Sequence, residues 1–365
     1  MKIFQLIQKS QLRGAEIFAC QLSNALNQKG HECTIISLFP GDRTLPFSGK
    51  VISLGLSKKR RLIDWFGWKK LAMLVNNELP DIVQANAGDT LKYAIISKLI
   101  FRWRAKIVFR NASTVSLYIR NPIIKRWNAF LYSQTDQVVS VSKHTRDDLK
   151  KIFPVVSCKI TVAPIGVERV DFSNQRTPQN NPIVLLHVGG FTFEKNHDGL
   201  VKIFGEIRRH RQDVELWLVG DGPLRSQTEN LTKRLNLKEY VKFWGYQPDP
   251  SSFFCKAKVF LLPSIIEGLP AVILESFCYE LPVVAYDVGG IRELVRNGET
   301  GYLIEKGNEK DFAAATLKAL QGRDETILLS KNALDLVARE YTMEKVADRF
   351  NIIYEKLLNN CDGTI

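Results

Sequence analysis

Apolar residues in the first 165 or so positions come in short runs that alternate with amphipathic stretches. MKIFQLI reads as a strand, Ala15 to Lys29 has the spacing of an amphipathic helix, and CTIISLF after Gly30 reads as a second strand. DIVQAN, AKIVFRN and QVVSVS repeat the apolar run that ends in polar residues. Such runs, separated by helical stretches, predict βαβ units and a parallel sheet. The rhythm breaks over 171–181, DFSNQRTPQNN, which is polar, aperiodic and contains Pro178, as a linker would. It restarts at PIVLLHVGG and runs on through a helix over Lys202–His210, VELWLVGDG, another helix, YVKFWGY, KVFLLPS, a helix around Glu275 and PVVAYD. An amphipathic helix, Met343–Leu358, closes the chain. The predicted fold class is α/β, with two Rossmann-like doubly wound domains facing a central cleft. The first covers 1–175, with the C-terminal helix 343–365 packing back on it, and the second covers 182–342.

Composition agrees with that plan and narrows the compartment. A chain of 365 residues suits two domains, and 45% hydrophobic content argues against disorder. Six cysteines, at 20, 33, 158, 255, 278 and 361, form no CxxC pair, which fits a reducing compartment and neither a zinc site nor a disulfide framework. MKIFQLIQKSQLRGAE lacks the longer apolar core and cleavage site of a secretory signal, and Lys98 interrupts the most apolar candidate span, YAIISKLIF. The expected location is cytoplasmic, peripheral at the inner face of the membrane.

Charge is the uneven property. Residues 1–180 hold 28 Lys and Arg against 12 Asp and Glu, whereas the whole chain carries +13. Lys58-Lys59-Arg60-Arg61 precedes Trp65, Phe66, Trp68, Lys69 and Lys70; FRWRAK follows at 101–106 and Lys125-Arg126-Trp127 later. Cations interleaved with tryptophan suit an anionic membrane surface. Nucleic acid would accept the same composition, but no reading motif accompanies it, so no nucleic-acid partner is expected. A solvated helix face with its tryptophan in the core is the third reading.

The strongest motif is FLLPSIIEGLPAVILESFCYELPVVAYDVGG, residues 260–290. A strand ends at Pro263-Ser264, a turn carries Glu267-Gly268-Leu269-Pro270, and a helix starts near Ala271 with Glu275 on it. Loop amides and a helix N-terminus at the carboxyl end of a parallel sheet suit a diphosphate, and flanking carboxylates suit sugar and ribose hydroxyls. This segment resembles the signature of the family-four, or group 1, retaining glycosyltransferases of GT-B fold. RGAE at 13–16, VSVSKHTRDDL, VAPIGVE, FTFEKNHDGL, LVGDGPLR, VKFWGY and YTMEKVADRF extend the resemblance over nearly the whole chain.

The resemblance implies transfer of a hexose from a UDP- or GDP-sugar, with retention, to a glycan or lipid-linked acceptor, as in bacterial surface polysaccharide or lipopolysaccharide synthesis. Glu267 would contact hexose hydroxyls and Glu275 ribose hydroxyls, while the backbone of Gly268, Leu269, Pro270 and Ala271 would sit against sugar and phosphate. Gly14 would let the N-domain backbone approach the donor phosphate, and Tyr246, in the Trp244–Tyr246 stretch, would lie where the base is held. Lys195 would neutralise the diphosphate as leaving-group charge develops. A cation beside a helix N-terminus needs an anion nearby. The donor phosphate itself would take the acceptor's proton.

Four positions depart from the family pattern. Gly190 stands where an arginine usually partners the lysine, and Gln84, Asn86 and Asn111 stand where histidines are common. An amide orients a hydroxyl but takes no proton, so Asn86, Arg110 and Asn111 are acceptor-cleft candidates and no side-chain base is assigned. No Asp-x-Asp occurs, so neither metal nor other cofactor is expected. A nicotinamide oxidoreductase fails because RGAE replaces a GxGxxG after the first strand. A non-catalytic nucleotide-sugar-binding or assembly partner is the competing class.

Overall fold

The computed structural model of the chain describes residues 1–61, 63–119, 121–168, 172, 177–178 and 181–359. Most of the expected linker over 171–181, the expected boundary at 175 and the end of the 343–365 segment lie outside the described residues. The chain divides into two compact units, Met1–Glu168 with Met343–Ile365, and Arg169–Thr342.

In the first unit the elements run β1 (Lys2–Lys9), α1 (Gly14–Gln28), β2 (Glu32–Phe39), β3 (Lys50–Ser53), α2 (Trp65–Glu78), β4 (Ile82–Ala85), α3 (Gly88–Phe101), β5 (Lys106–Asn111), α4 (Pro122–Ser133), β6 (Gln137–Ser140), α5 (Lys143–Ile152) and β7 (Ile160–Val162). The seven strands form one parallel sheet in the order β3-β2-β1-β4-β5-β6-β7. Strand order reverses beside β1, so the carboxyl ends of β1 and β4 frame the crevice where doubly wound sheets hold ligands. Phe4, Leu6, Val83, Ile107 and Phe109 belong to one buried cluster with Leu71 and Val75 of α2 and Tyr93 of α3. Asp64 ties these helices together: it caps α2 by accepting from Gly67 N at 2.9 Å and accepts Tyr93 Oη at 2.8 Å.

The second unit runs β8 (Ile183–Val188), α6 (His197–His210), β9 (Val214–Val219), α7 (Arg225–Arg234), β10 (Val241–Gly245), α8 (Ser251–Lys256), β11 (Val259–Leu262), α9 (Ala271–Cys278), β12 (Val283–Tyr286), α10 (Ile291–Leu294), β13 (Tyr302–Ile304), α11 (Glu309–Leu320) and α12 (Asp324–Leu336). Its six parallel strands are ordered β10-β9-β8-β11-β12-β13, with the reversal beside β8. The central strands are buried along nearly their whole length, which is why they read as unbroken apolar runs rather than alternating ones. α6 begins at His197, five residues before the stretch the sequence marked, because Asn196 supplies its N-cap by accepting from Gly199 N at 3.3 Å.

The last helix, α13 (Met343–Asn359), belongs to the first unit and packs on α1. Phe350 meets Phe18 with ring centroids 5.9 Å apart, and Asp348 pairs with Lys29 at 2.7 Å. Tyr354 Oη donates to Gln84 Oε1 at 2.6 Å inside the core.

Candidate functional site

The Glu267 turn is built by three loops at the carboxyl ends of β8, β11 and β12. Ile265 N donates to Glu194 O at 2.8 Å, and Asn196 Nδ2 donates to Pro263 O at 3.1 Å, so the β8–α6 loop is stitched to the β11–α9 loop. Asn196 reaches that position in the left-handed region, at φ 54°. From the third loop, Gly290 N donates to Gly268 O at 2.8 Å. Gly289, at φ 58°, passes so close to the turn that a Cβ built on it stands 2.0 Å from Glu267 O. The Val-Gly-Gly at the end of the motif is therefore the floor of the turn.

Between these loops Lys195 Nζ donates to Glu267 Oε1 at 2.7 Å, with both side chains largely enclosed. Lys195 lies in a short 3-10 turn, Phe193–Lys195, rather than on α6 itself. The anion that a cation at this helix entrance requires is supplied by Glu267. Glu275 sits on the second turn of α9, facing inward, with part of its surface accessible. Enclosure of its carboxyl pushes its pKa up to about 7, against the pull of nearby Lys195. Leu269 and Pro270 are buried, Pro270 precedes the helix in extended conformation, and no side chain caps α9.

Beneath the Lys195 loop lie two buried histidines that the sequence did not single out. The His187 and His197 rings are 4.7 Å apart and nearly perpendicular, and His197 stacks on Phe191 at 3.9 Å. Burial lowers the pKa of His187 to about 4 and that of His197 further, so both are neutral packing groups at ordinary pH. Gly190 is exposed, and a Cβ there would meet only Asp221 O at 3.5 Å and Thr192 Cγ2 at 3.9 Å. Tyr246 follows the end of β10, 40% exposed, beside Gly245, whose carbonyl accepts from Gly220 N at 2.8 Å.

In the first unit, Asn86 follows β4 and Arg110 and Asn111 end β5, and all three are buried. They line a cavity of about 360 Å³ together with Ala87 and Gly88 at the start of α3 and Asn128 and Tyr132 of α4. Asn86 Nδ2 donates to Gln5 Oε1 at 2.9 Å and Asn111 Nδ2 to Thr145 O at 3.3 Å. Arg110 lies over the Phe18 ring, 3.9 Å from its centroid, and burial lowers its pKa to about 9, which leaves it charged at neutral pH. Gly14 is the first residue of α1, and a Cβ there would meet open space. A larger depression of about 570 Å³ lies along α6 and the start of α11, open and lined by charged side chains, away from the Glu267 turn.

The basic tryptophan segments separate into two kinds. Trp68 and Trp103 are core residues, 8% and 3% exposed, so the 101–106 segment is no surface anchor: its tryptophan donates to Ser97 Oγ at 3.1 Å. Trp65 and Phe66 on α2, and Ile123, Ile124, Trp127 and Phe130 on α4, are exposed, and both helices adjoin α3. Among the described residues no helix is long and apolar enough to cross a membrane, and no group of His, Cys, Asp or Glu is arranged to hold a metal ion.

Two family profiles match in succession: Glycosyltransferase Family 4 over residues 12–169 and Glycosyl transferases group 1 over 169–335. N-acetyl-alpha-D-glucosaminyl L-malate synthase of Bacillus anthracis is 24% identical over 367 residues, 95% of either chain. N-acetylgalactosamine-N,N'-diacetylbacillosaminyl-diphospho-undecaprenol 4-alpha-N-acetylgalactosaminyltransferase of Campylobacter jejuni is 27% identical, over 70% of this chain and 71% of its own. The crystal structure of Anabaena HepE with UDP-glucose superposes with a TM-score of 0.83 at 18% identity, covering 98% of this chain and all of that one.

Proposed function

Since the chain belongs to the group 1 glycosyltransferases, we propose that it is a retaining hexosyltransferase using a UDP- or GDP-sugar. The observation that carries the reading is the Lys195–Glu267 pair, 2.7 Å apart across two loops that end parallel strands. A lysine held by a carboxylate is placed to change partners when a diphosphate enters. Glu267 is then released to accept hexose hydroxyls, and Glu275 to accept ribose hydroxyls. Backbone amides of Gly268 to Ala271, at the positive end of α9, complete the phosphate side. Tyr246 borders the base, and Gly14 admits the phosphate to the α1 terminus of the first unit.

The acceptor hydroxyl oxygen bonds to the anomeric carbon as the bond from that carbon to the diphosphate oxygen breaks. The hydroxyl proton passes to the departing phosphate, so no side-chain base and no metal are required. Asn86, Arg110 and Asn111 belong to the acceptor side. The name of the Campylobacter relative specifies a diphospho-undecaprenol acceptor, and that supports a lipid-linked glycan acceptor here. The exposed Trp65, Phe66, Trp127 and Phe130, with the cations around them, support work at an anionic membrane surface.

A thermal-shift screen of nucleotide sugars tests the donor, and proton NMR of the product tests the anomeric outcome. Ligand at a hundredfold excess over its dissociation constant adds about 2.7 kcal/mol of apparent stability, a readable shift. Failure of every UDP- and GDP-sugar to stabilise the chain removes the donor site. Binding without turnover across a broad acceptor panel favours the non-catalytic alternative that Gly190 suggests, and inhibition by EDTA contradicts the metal-free step.

A further inference from the structure

Among the described residues, Arg110 is the only charged one lining the 360 Å³ cavity of the first unit. It is 3% exposed, and its Nε and Nη1 atoms have no hydrogen-bond partner among the described residues. Among the described residues no carboxylate comes within ion-pair distance of it, although Glu16 is near enough to favour its charged form. The Phe18 ring shields one face of the guanidinium. A cation–π contact recovers only part of what burying an unpaired charge costs.

The rest of the lining says what belongs beside that charge. Ala87 and Gly88 bring the positive end of the 14-residue α3 to the cavity. Asn86, Asn111 and Asn128 bring amides, and Tyr132 a ring. Amides and an aromatic face suit a sugar, while a guanidinium and a helix N-terminus suit an anion. One ligand class carries both: a sugar attached to phosphate.

We propose that this cavity receives the phosphoryl-bearing end of the acceptor, with Arg110 as the countercharge of its phosphate. The assignment rests on the transferase reading above and names the acceptor class for it. The phosphate belongs either to a lipid diphosphate or to a soluble sugar phosphate. The lipid has a surface waiting for its chain: α4, which lines the cavity through Asn128 and Tyr132, exposes Ile123, Ile124, Trp127 and Phe130.

The test uses inorganic pyrophosphate, farnesyl diphosphate and glucose 1-phosphate as calorimetric probes, in a Lys195→Ala chain so that the donor site is weakened. Adding Arg110→Met is expected to weaken pyrophosphate binding about tenfold or more. Arg110→Lys, which keeps the charge, is expected to retain it. The unliganded Arg110→Met chain is expected to melt no lower than its parent, because it loses an unpaired buried cation. Arg110-dependent binding of farnesyl diphosphate assigns the lipid source, and such binding of glucose 1-phosphate alone assigns the soluble one. UDP affinity of the Arg110→Met single variant is expected within about twofold of the parent's.

Pyrophosphate affinity that ignores Arg110→Met overturns the proposal, as does an Arg110→Lys chain that folds but binds none. An Arg110→Met chain that fails to fold overturns it too, since the guanidinium then serves the fold. Absence of UDP binding by the unmutated chain, with Arg110-dependent pyrophosphate binding intact, sinks the donor reading and leaves this one standing.

Discussion

Gly289 and Glu267 touch through their backbones: a Cβ built on Gly289 stands 2.0 Å from the Glu267 carbonyl oxygen. The φ of 58° at Gly289 adds a second penalty for any other residue. Gly289→Ala must therefore push the Glu267 turn away, at a cost of about 1–3 kcal/mol. The expected result is a lower thermal midpoint together with lost UDP-sugar binding. A variant that melts lower but binds donor normally shows that the turn's exact position does not matter to the ligand.

Lys195 and Glu267 neutralise each other at 2.7 Å. If the pair serves catalysis, Glu267→Gln and Lys195→Met each lower kcat by about a hundredfold or more. Their effects on folding stability stay small, because the exchange leaves no charge in a sealed place: both side chains keep some exposure, 22% for Lys195 and 11% for Glu267. Unchanged turnover in both variants refutes the role of the pair.

Glu275 carries a pH signature. Its pKa lies near 7 in the folded chain, above the ordinary 4.5, because enclosure disfavours the carboxylate. The folded chain thus holds this proton more tightly than the unfolded chain does. Its stabilising contribution is complete below about 4.5 and is lost as pH rises toward 7. Thermal midpoints between those limits are expected to fall less steeply with pH in Glu275→Gln than in the parent. Equal slopes show that the carboxyl is solvated.

Gly190 leaves room where the family's arginine would stand, since the nearest atom to an added Cβ is 3.5 Å away. Its backbone is outside the left-handed region, so a side chain imposes no strain. Gly190→Arg is expected to fold normally and to bind UDP about tenfold more tightly through a new charge-assisted contact. No gain in affinity means that the diphosphate does not pass this position.

Much of this arrangement was legible in the sequence, and what was not has identifiable causes. β8 and β11 showed themselves because strands buried on both faces are unbroken apolar runs. β3 and β7 did not: KVIS is mostly exposed at a sheet edge and ITV is three residues long. The turn at Glu267 was readable from Glu-Gly-Leu-Pro, but its contact with Lys195 spans 72 positions and exists only once the loops are stitched. Asn128 and Tyr132 were missed for the same reason, as α4 brings them to the strand ends only in the fold. Arg110 did leave a signal, a cation within the apolar run AKIVFRN. The tryptophans show the limit of composition, for FRWRAK and KRW look alike, yet Trp103 is buried and Trp127 is 43% exposed.

The exposed face of α4 separates membrane docking from mere solvation. Ile123, Ile124, Trp127 and Phe130 stand outward on a helix that buries only Leu131 and Tyr132, and Lys125 and Arg126 flank them. No acidic residue occurs between Leu117 and Ser133, so nothing there repels an anionic leaflet. Trp127→Glu with Phe130→Glu is expected to weaken binding to phosphatidylglycerol vesicles about tenfold or more, since each ring contributes its own apolar burial. UDP binding should not change, because the donor residues other than Gly14 lie in the other unit and Gly14 is on α1 rather than α4. Salt should weaken the parent's vesicle binding as it screens the cations. Co-sedimentation that shows equal binding to neutral and anionic vesicles at low salt, or no loss in the double variant, means that α4 faces water or a protein instead.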